Sequence, residues 1–246
     1  GKGQQLRLKG IVVRNICNEQ MIKRCDLFRN DSVHGAYKAD IDLNLNEKCL
    51  TVNGQRIYFI EGKNPSEINY NKYGINDALL IDNSGAFTDK DSLSNHLESI
   101  GISKVLLTAP GKGIPNIVYG INSKKLDIEN SKIVSAASCT TNCIAPVLHV
   151  IESEYGISSG HLETVHSYTN DQNLIDNMHK KARRGRSAAI NMVITTTGAG
   201  KAVTKVIPSL EGKLTANAVR VPTPNVSLAI LKLKLKKKTS VNDINN

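Results

Sequence analysis

No apolar run in the 246-residue chain approaches the roughly 18 residues a membrane-spanning helix needs, so a membrane protein is not expected. The opening residues, Gly1-Lys2-Gly3-Gln4-Gln5, are polar and lack the apolar stretch of a secretory signal. Aromatic residues make up only 4% of the chain and do not interleave with the basic ones, which argues against a base-stacking surface and against nucleic acid as a partner. Cysteine is sparse: five residues, at 17, 25, 49, 139 and 143. Their odd number and irregular spacing exclude a disulfide framework, and the lack of a second close pair beside Cys139/Cys143 argues against zinc. No metal is expected, and the thiols read as reduced in a cytoplasmic setting. Internal repeats and low-complexity segments are absent. So is any complete Gly-x-Gly-x-x-Gly, the usual opening of a dinucleotide-binding domain. Gly111-Lys112-Gly113 follows a strand but runs into Ile114-Pro115, the wrong context.

What is present reads as a soluble globular chain with a sizeable core. Hydrophobic residues account for 40% and charged residues for 22%. The formal net charge is +10, from 32 Lys and Arg against 22 Asp and Glu. The excess gathers towards the C-terminal half in two clusters. One is Lys180-Lys181-Ala182-Arg183-Arg184-Gly185-Arg186, either a solvated loop or an anion site. The other, Leu231 to Lys238, alternates Leu and Lys like a strand with one buried and one wet face.

Along the chain, Leu6–Val13 reads as a buried strand followed by a polar segment, Asn15–Gln20. Residues 41–61 read as a β-hairpin turning at Asn53-Gly54. Ala78–Asp82, Lys104–Thr108 and Lys132–Ser135 read as short strands, and Asp91–Ile100 has helical spacing. Strands alternating with helices predict a mostly parallel, doubly wound sheet, with ligands at the carboxyl ends of its strands. The candidate ends are Arg14-Asn15, Asn83-Ser84-Gly85 and Thr108-Ala109-Pro110. Beyond about residue 150, segments rich in Val, Thr, Ile and Leu (162–166, 221–226, 228–235) predict a second, more antiparallel sheet. The expected fold is therefore α/β: an incomplete doubly wound, Rossmann-type domain over 1–138 and an α+β domain over 139–246.

The segment Ser135-Ala136-Ala137-Ser138-Cys139-Thr140-Thr141-Asn142-Cys143 carries the chemistry. Ser138 and Thr140 are good helix N-cap residues, and apolar helical spacing follows at Val147, Val150 and Ile151. Pro146 falls near the second turn, where it can kink the helix. Cys139 then lies at a helix N-terminus, where unpaired N–H groups and the positive dipole end favour a thiolate. Taken alone it reads equally as a small buried cysteine. His166 closes an apolar strand and opens the polar segment Ser167-Tyr168-Thr169-Asn170-Asp171-Gln172. Within reach of Cys139 it would hold a thiolate and shuttle protons. Thr195-Thr196-Thr197-Gly198 before a helix start could form an anion nest, and Arg220 offers a planar fork for phosphate oxygens. The bland readings of these two are a capped helix and a surface arginine.

Ser138-Cys139-Thr140-Thr141-Asn142-Cys143, with His166 27 residues beyond Cys139, resembles the active-site signature of the glyceraldehyde-3-phosphate dehydrogenase family. The likeness extends through 30–35, 83–88, 108–110, 195–203, 206–214 and 220–227, in order, over nearly the whole chain. The resemblance implies that Cys139 forms a hemithioacetal and then a thioester, with His166 as acid–base partner. It implies Thr169, Asp171 and Arg220 around the substrate phosphate, Ser138, Thr140, Thr197 and Gly198 around the attacking phosphate, and Arg184 near both. Arg14, Asn15, Ser84, Thr108 and Asn170 would contact NAD or NADP. Residues 168–190 would form a loop bordering a neighbouring subunit's cofactor, in a homotetramer acting on glyceraldehyde 3-phosphate and inorganic phosphate.

The sequence departs from the family pattern at both ends. It reads as a fragment without the first strand and Gly-rich turn and without the C-terminal part, and so is expected to bind cofactor weakly and turn over little. Asn15, preceded by Arg14, stands where the family places an acidic residue on the ribose, which opens NADP use. Two other readings stay open at this point: a dehydrogenase for a related phosphorylated aldehyde such as erythrose 4-phosphate, and a non-catalytic remnant that binds RNA or protein.

Overall fold

The fold comes from a computed structural model that describes residues 6–245 apart from 125, 128 and 129. The chain divides into two compact units. Unit 1 runs to Leu80 and resumes at Asp91–Val105; unit 2 comprises Ile81–Lys90 and the chain from Leu106 onward. Among the described residues no helix is long and apolar enough to cross a membrane.

Unit 1 begins with β1 (Gly10–Val13) and α1 (Asn18–Arg29). The short pair β2 (Asn30–Asp31) and β3 (Gly35–Ala36) follows, then β4 (Ile41–Asn44), β5 (Cys49–Val52) and β6 (Gln55–Glu61). Helix α1 starts inside the segment expected to be merely polar, at Asn18, and continues beyond it to Arg29. It inserts Met21 and Cys25, one turn apart, into a core with Leu50 and Phe59. The expected single hairpin over 41–61 is two. Asn53 and Gly54 turn β5 into β6 with φ of 48° and 78°, the left-handed pair that a two-residue hairpin turn demands. An additional turn at 45–48, held by Asn44 Oδ1 accepting the Glu47 N–H at 2.9 Å, joins β4 to β5. Turns this short join only antiparallel neighbours. The sheet order is therefore β1-β6-β5-β4 with the β1–β6 pair alone parallel, a mixed sheet rather than a mostly parallel one. A second cluster around Ile60, Ile68, Tyr70 and Ile75 fills the other face.

The chain passes between the units within β7 (Ala78–Asp82) and again within β8 (Ile102–Leu107). These strands and β9 (Ile133–Ser135) form a three-stranded sheet ordered β7-β8-β9. Between β7 and β8 only a short α2 (Lys90–Ser94) is helical, where the spacing suggested Asp91–Ile100.

Unit 2 is organised around α3 (Cys139–Glu154) and a four-stranded sheet. The strands are β10 (Ile157–Ser167), β11 (Val193–Thr196), β12 (Leu214–Val221) and β13 (Leu228–Leu235), ordered β11-β12-β10-β13. Two of the three pairings are antiparallel, in keeping with the expected α+β character. The expected strand over 221–226 is a bend instead, with β12 ending at Val221. Pro222 and Pro224 lack the N–H groups a ladder requires. In β13 Leu231, Leu233 and Leu235 face inward and Lys232 and Lys234 face solvent, as the alternation predicts. Helix α4 (Ala199–Thr204) packs on α3, and a short α5 (Val241–Asn245) ends the described chain.

The face α3 buries overlaps the one the spacing suggested only at Ile151, which is partly buried against the core. Ile144, Ala145 and Leu148 enter the core with Ile157, Leu162, Val203 and Leu210, while Val147 and Val150 are 48% and 58% exposed. Leu148 is fully buried, so Leu148→Ala should cost about 2–5 kcal/mol in chemical denaturation, transfer and cavity terms together.

The far end of α3 is tied down by Glu152. Its carboxylate accepts from Lys213 Nζ at 2.9 Å and from the Ile157 N–H. Burial pushes this carboxyl up, but hydrogen bonds from Lys213, Ile157 and Ser209 outweigh it and hold Glu152 below its ordinary value. A carboxyl lowered on folding stabilises the native state above its unfolded value and loses that contribution as pH falls through the folded one. Acid denaturation should therefore steepen below about pH 4.3, and Glu152→Gln should flatten that limb in melting curves taken from about pH 6 down to about pH 3.

Candidate active site

The site of unit 2 is set up where β9 passes into α3. Ser135 Oγ donates to the Ala109 carbonyl at 2.6 Å and accepts the Ala137 N–H at 3.0 Å. Ala137 takes a left-handed φ of 59°, costly for a residue with a Cβ, and is buried. That turn sends the backbone into Ser138, the N-cap, whose Oγ accepts the Thr141 N–H at 3.0 Å. The Asn142 side-chain amide reaches back to the carbonyls of Ala136 at 2.8 Å and Ser138 at 2.9 Å and so pins the turn from the helix side. The N-cap expectation for Ser138 holds. The anchoring role of Asn142 depends on a turn geometry that composition does not reveal.

Cys139 is the first residue of α3 and is exposed, not the buried structural cysteine of the bland reading. Its sulfur lies 3.6 Å from His166 Nε2 and 4.0 Å from Thr140 Oγ1. His166 stands one residue from the end of β10. A free helix N-terminus, an imidazole in reach of the sulfur and open access to solvent are what a thiol nucleophile requires.

Strand register supplies the next group. β10 and β12 run parallel with His166 opposite Arg220. Arg220 NH1 lies 3.0 Å from His166 Nδ1, 3.0 Å from the Ser167 carbonyl and 3.3 Å from Thr169 Oγ1. The Ser167 N–H in turn donates to Ser227 Oγ at 3.1 Å, a brace the sequence reading did not include. Burial pushes the Arg220 guanidinium down from its ordinary value, the charge of neighbouring Arg184 adds to that, and the Cys139 sulfur opposes both.

Arg184 is itself buried. It donates through Nε to Thr195 Oγ1 at 3.2 Å and pairs through NH1 with Asp171. Asp171 thus fixes Arg184, while Thr169 meets Arg220, so two cations converge with a single carboxylate bound to one of them. The basic cluster at 180–186 is therefore not simply a solvated loop at Arg184. Nearby, the Gln172 side chain is buried and both of its amide atoms lack a partner among the described residues.

The other candidates are more scattered. Thr197 Oγ1 accepts the Ala199 N–H at 3.2 Å and Gly198 caps α4. Ser84 donates through N and Oγ to Asp82 Oδ1 at 2.8 Å each, Thr108 Oγ1 donates to the Asp82 carbonyl at 3.1 Å, and Asn170 is exposed in the turn after β10. In unit 1, Arg14 and Asn15 are exposed just beyond β1. Among the described residues no group of three or more His, Cys, Asp or Glu is placed to hold a metal ion.

The family model for the C-terminal domain of glyceraldehyde 3-phosphate dehydrogenase matches residues 138–246, and that for its NAD-binding domain matches residues 5–90. A glyceraldehyde-3-phosphate dehydrogenase-like protein of Pseudomonas aeruginosa is 54% identical over the whole chain, which spans 53% of that relative. Glyceraldehyde-3-phosphate dehydrogenase 2 of Bacillus subtilis is 43% identical over 89% of the chain and 63% of its own length. The glyceraldehyde-3-phosphate dehydrogenase of Priestia megaterium is 40% identical over 96% of the chain and 69% of its own length. The chain thus spans about half to two thirds of these relatives. The sulfur, the imidazole beside it and the arginine in register with that imidazole sit in a chain that belongs to the glyceraldehyde-3-phosphate dehydrogenase family.

Proposed function

We propose that unit 2 carries the thiol centre of a phosphorylating glyceraldehyde-3-phosphate dehydrogenase. The proposed substrates are glyceraldehyde 3-phosphate and inorganic phosphate. The proposed cofactor is NAD or NADP, the proposed assembly a homotetramer, and the proposed compartment the cytoplasm. What supports the reading is the 3.6 Å approach of Cys139 Sγ to His166 Nε2 at the start of a 16-residue helix, with Arg220 opposite His166.

In this reading the Cys139 sulfur adds to the aldehyde carbon as its proton passes to His166 Nε2, which hands that proton on to the carbonyl oxygen, giving a hemithioacetal and a neutral ring. His166 then takes the hemithioacetal hydroxyl proton as the carbon is oxidised to a thioester. A nicotinamide dinucleotide, when bound, supplies the hydride acceptor for that oxidation. A phosphate oxygen attacks the thioester carbon, the C–S bond breaks, and the acyl phosphate leaves with Cys139 restored. Arg220, Thr169 and Arg184 would hold the phosphates, with Ser138, Thr140, Thr197 and Gly198 as further phosphate-side residues and Asp171 keeping Arg184 in place.

On the cofactor side, Arg14 and Asn15 are exposed beyond β1, ahead of a helix whose N-cap, Cys17, makes no side-chain cap bond. These residues fit the adenosine end of a dinucleotide, and the arginine followed by an asparagine rather than a carboxylate fits a 2′-phosphate. Ser84, Thr108 and Asn170 remain cofactor contacts by resemblance. Affinity for NADP falling in Arg14→Ala, with NAD unaffected, would support the 2′-phosphate reading; equal loss for both would remove it.

The thiol centre can be tested without the cofactor. Acetyl phosphate presents the bond type of the product. The chain should take one acetyl group on Cys139, seen by mass spectrometry, and return it on addition of inorganic phosphate. Acetylation spread evenly over the five cysteines, or none, would sink the proposal.

A further inference from the structure

His166 Nδ1 has two neighbours that require opposite things of it. The Ser167 carbonyl lies 2.7 Å away and can only accept, so that bond needs a proton on Nδ1. Arg220 NH1 lies 3.0 Å away and can only donate, so that bond needs a bare Nδ1. A neutral imidazole satisfies one or the other. The choice decides the far side of the ring. With Arg220 donating, the proton sits on Nε2 and the ring cannot take a proton from Cys139. With Ser167 accepting, Nε2 presents its lone pair to the sulfur 3.6 Å away.

Arg220 is built to leave. Its NH1 keeps the Ser167 carbonyl at 3.0 Å and Thr169 Oγ1 at 3.3 Å as alternative acceptors, and its Nε is buried with no partner among the described residues. The positive charge of Arg184 stands beside it. A tetrahedral oxyanion, phosphate or sulfate, offers this guanidinium the acceptors it lacks and draws it away from Nδ1.

The geometry points to Arg220 as a positioning residue that couples anion occupancy to the tautomer of His166. With the site empty, Arg220 holds the ring in the Nε2–H form, idle as a base. An oxyanion on Arg220 releases Nδ1–H to the Ser167 carbonyl and arms Nε2 toward Cys139. The inference rests on the anion-binding role proposed for Arg220, and it adds an ordering: the base is ready when the phosphate-bearing ligand is seated.

The test is nitrogen NMR of the full chain labelled with 15N-histidine, in a Cys139→Ser background so that no thiolate biases the ring. At about pH 8.5 an ordinary imidazole is neutral, and its protonated and bare nitrogens resonate far apart. The His166 signals are identified by their loss in His166→Gln. Without anion, Nε2 should carry the proton, and saturating sulfate should exchange the two signals. In Arg220→Met, Nδ1 should carry the proton with or without sulfate. Melting temperature, measured in parallel, reports folding and sulfate binding. Sulfate that stabilises the chain through Arg220 while the nitrogen signals stay put overturns the coupling and leaves the anion site standing. If sulfate does not bind, the anion site falls, and the anion-free comparison still decides: the same tautomer with the guanidinium present and with it removed by Arg220→Met overturns the coupling as well.

Discussion

Replacing Cys139 with serine should lower the rate of acyl transfer from acetyl phosphate by on the order of 10⁴-fold or more, the scale seen when an enzyme loses its nucleophile. The reason lies in the element rather than the site. Serine fits the first turn of α3 as well as cysteine does and stays on the exposed surface, so stability should change by no more than about 0.5 kcal/mol. A hydroxyl, however, remains protonated where a thiol beside an imidazole ionises. An oxygen ester is also a poorer acyl donor to phosphate than a thioester. Stopped-flow or mass-spectrometric acylation rates, with circular dichroism as the control for folding, make the comparison. A serine variant that acylates within about tenfold of the parent would show that the acyl group is carried elsewhere, with Cys143, one turn along the same helix, as the first place to look.

Much of this site was legible because its logic is local. An N-cap serine, a cysteine after it and a histidine at a strand end are properties of neighbouring residues, and the structure joins them at 3.6 Å. What was not legible depends on register. Arg220 faces His166 because β10 and β12 pair in parallel across 54 residues of sequence, and Leu214–Val221, with its alanines and asparagine, does not announce itself as a strand. The bracing of Ser167 by Ser227 and of Arg184 by Thr195 is non-local in the same way. In unit 1, α1 escaped notice because only Met21 and Cys25 of its twelve residues are buried, too narrow an apolar stripe for periodicity to mark. The spacing in α3 caught only one edge of the buried stripe, Ile151, because the helix is apolar on more than one side; Leu214 and Leu231 lie on the side that the core requires, and only the assembled sheet selects it. Where β-branched residues alone suggested a strand, at 221–226, the two prolines were the stronger signal.

His166→Gln should slow acylation of Cys139 by about 10²–10⁴-fold, the usual worth of a positioned acid–base group. Glutamine approximates the imidazole's reach and can hydrogen-bond, but it cannot accept a proton at neutral pH. The site's construction makes the prediction specific. Cys139 keeps its helix N-terminus and Arg220 keeps the Ser167 carbonyl and Thr169 Oγ1 in this variant, so a loss of rate is assigned to proton transfer rather than to collapse of the pocket. Alkylation by iodoacetamide, which is uncharged, separates the two: its rate against pH follows thiolate formation alone. With saturating sulfate present, Cys139 should alkylate more slowly near neutral pH in His166→Gln than in the parent chain, while the plateau at high pH is retained. A profile unmoved by the substitution would mean that the imidazole, though 3.6 Å from the sulfur, has no part in generating the nucleophile, and the helix N-terminus would then have to account for its reactivity alone.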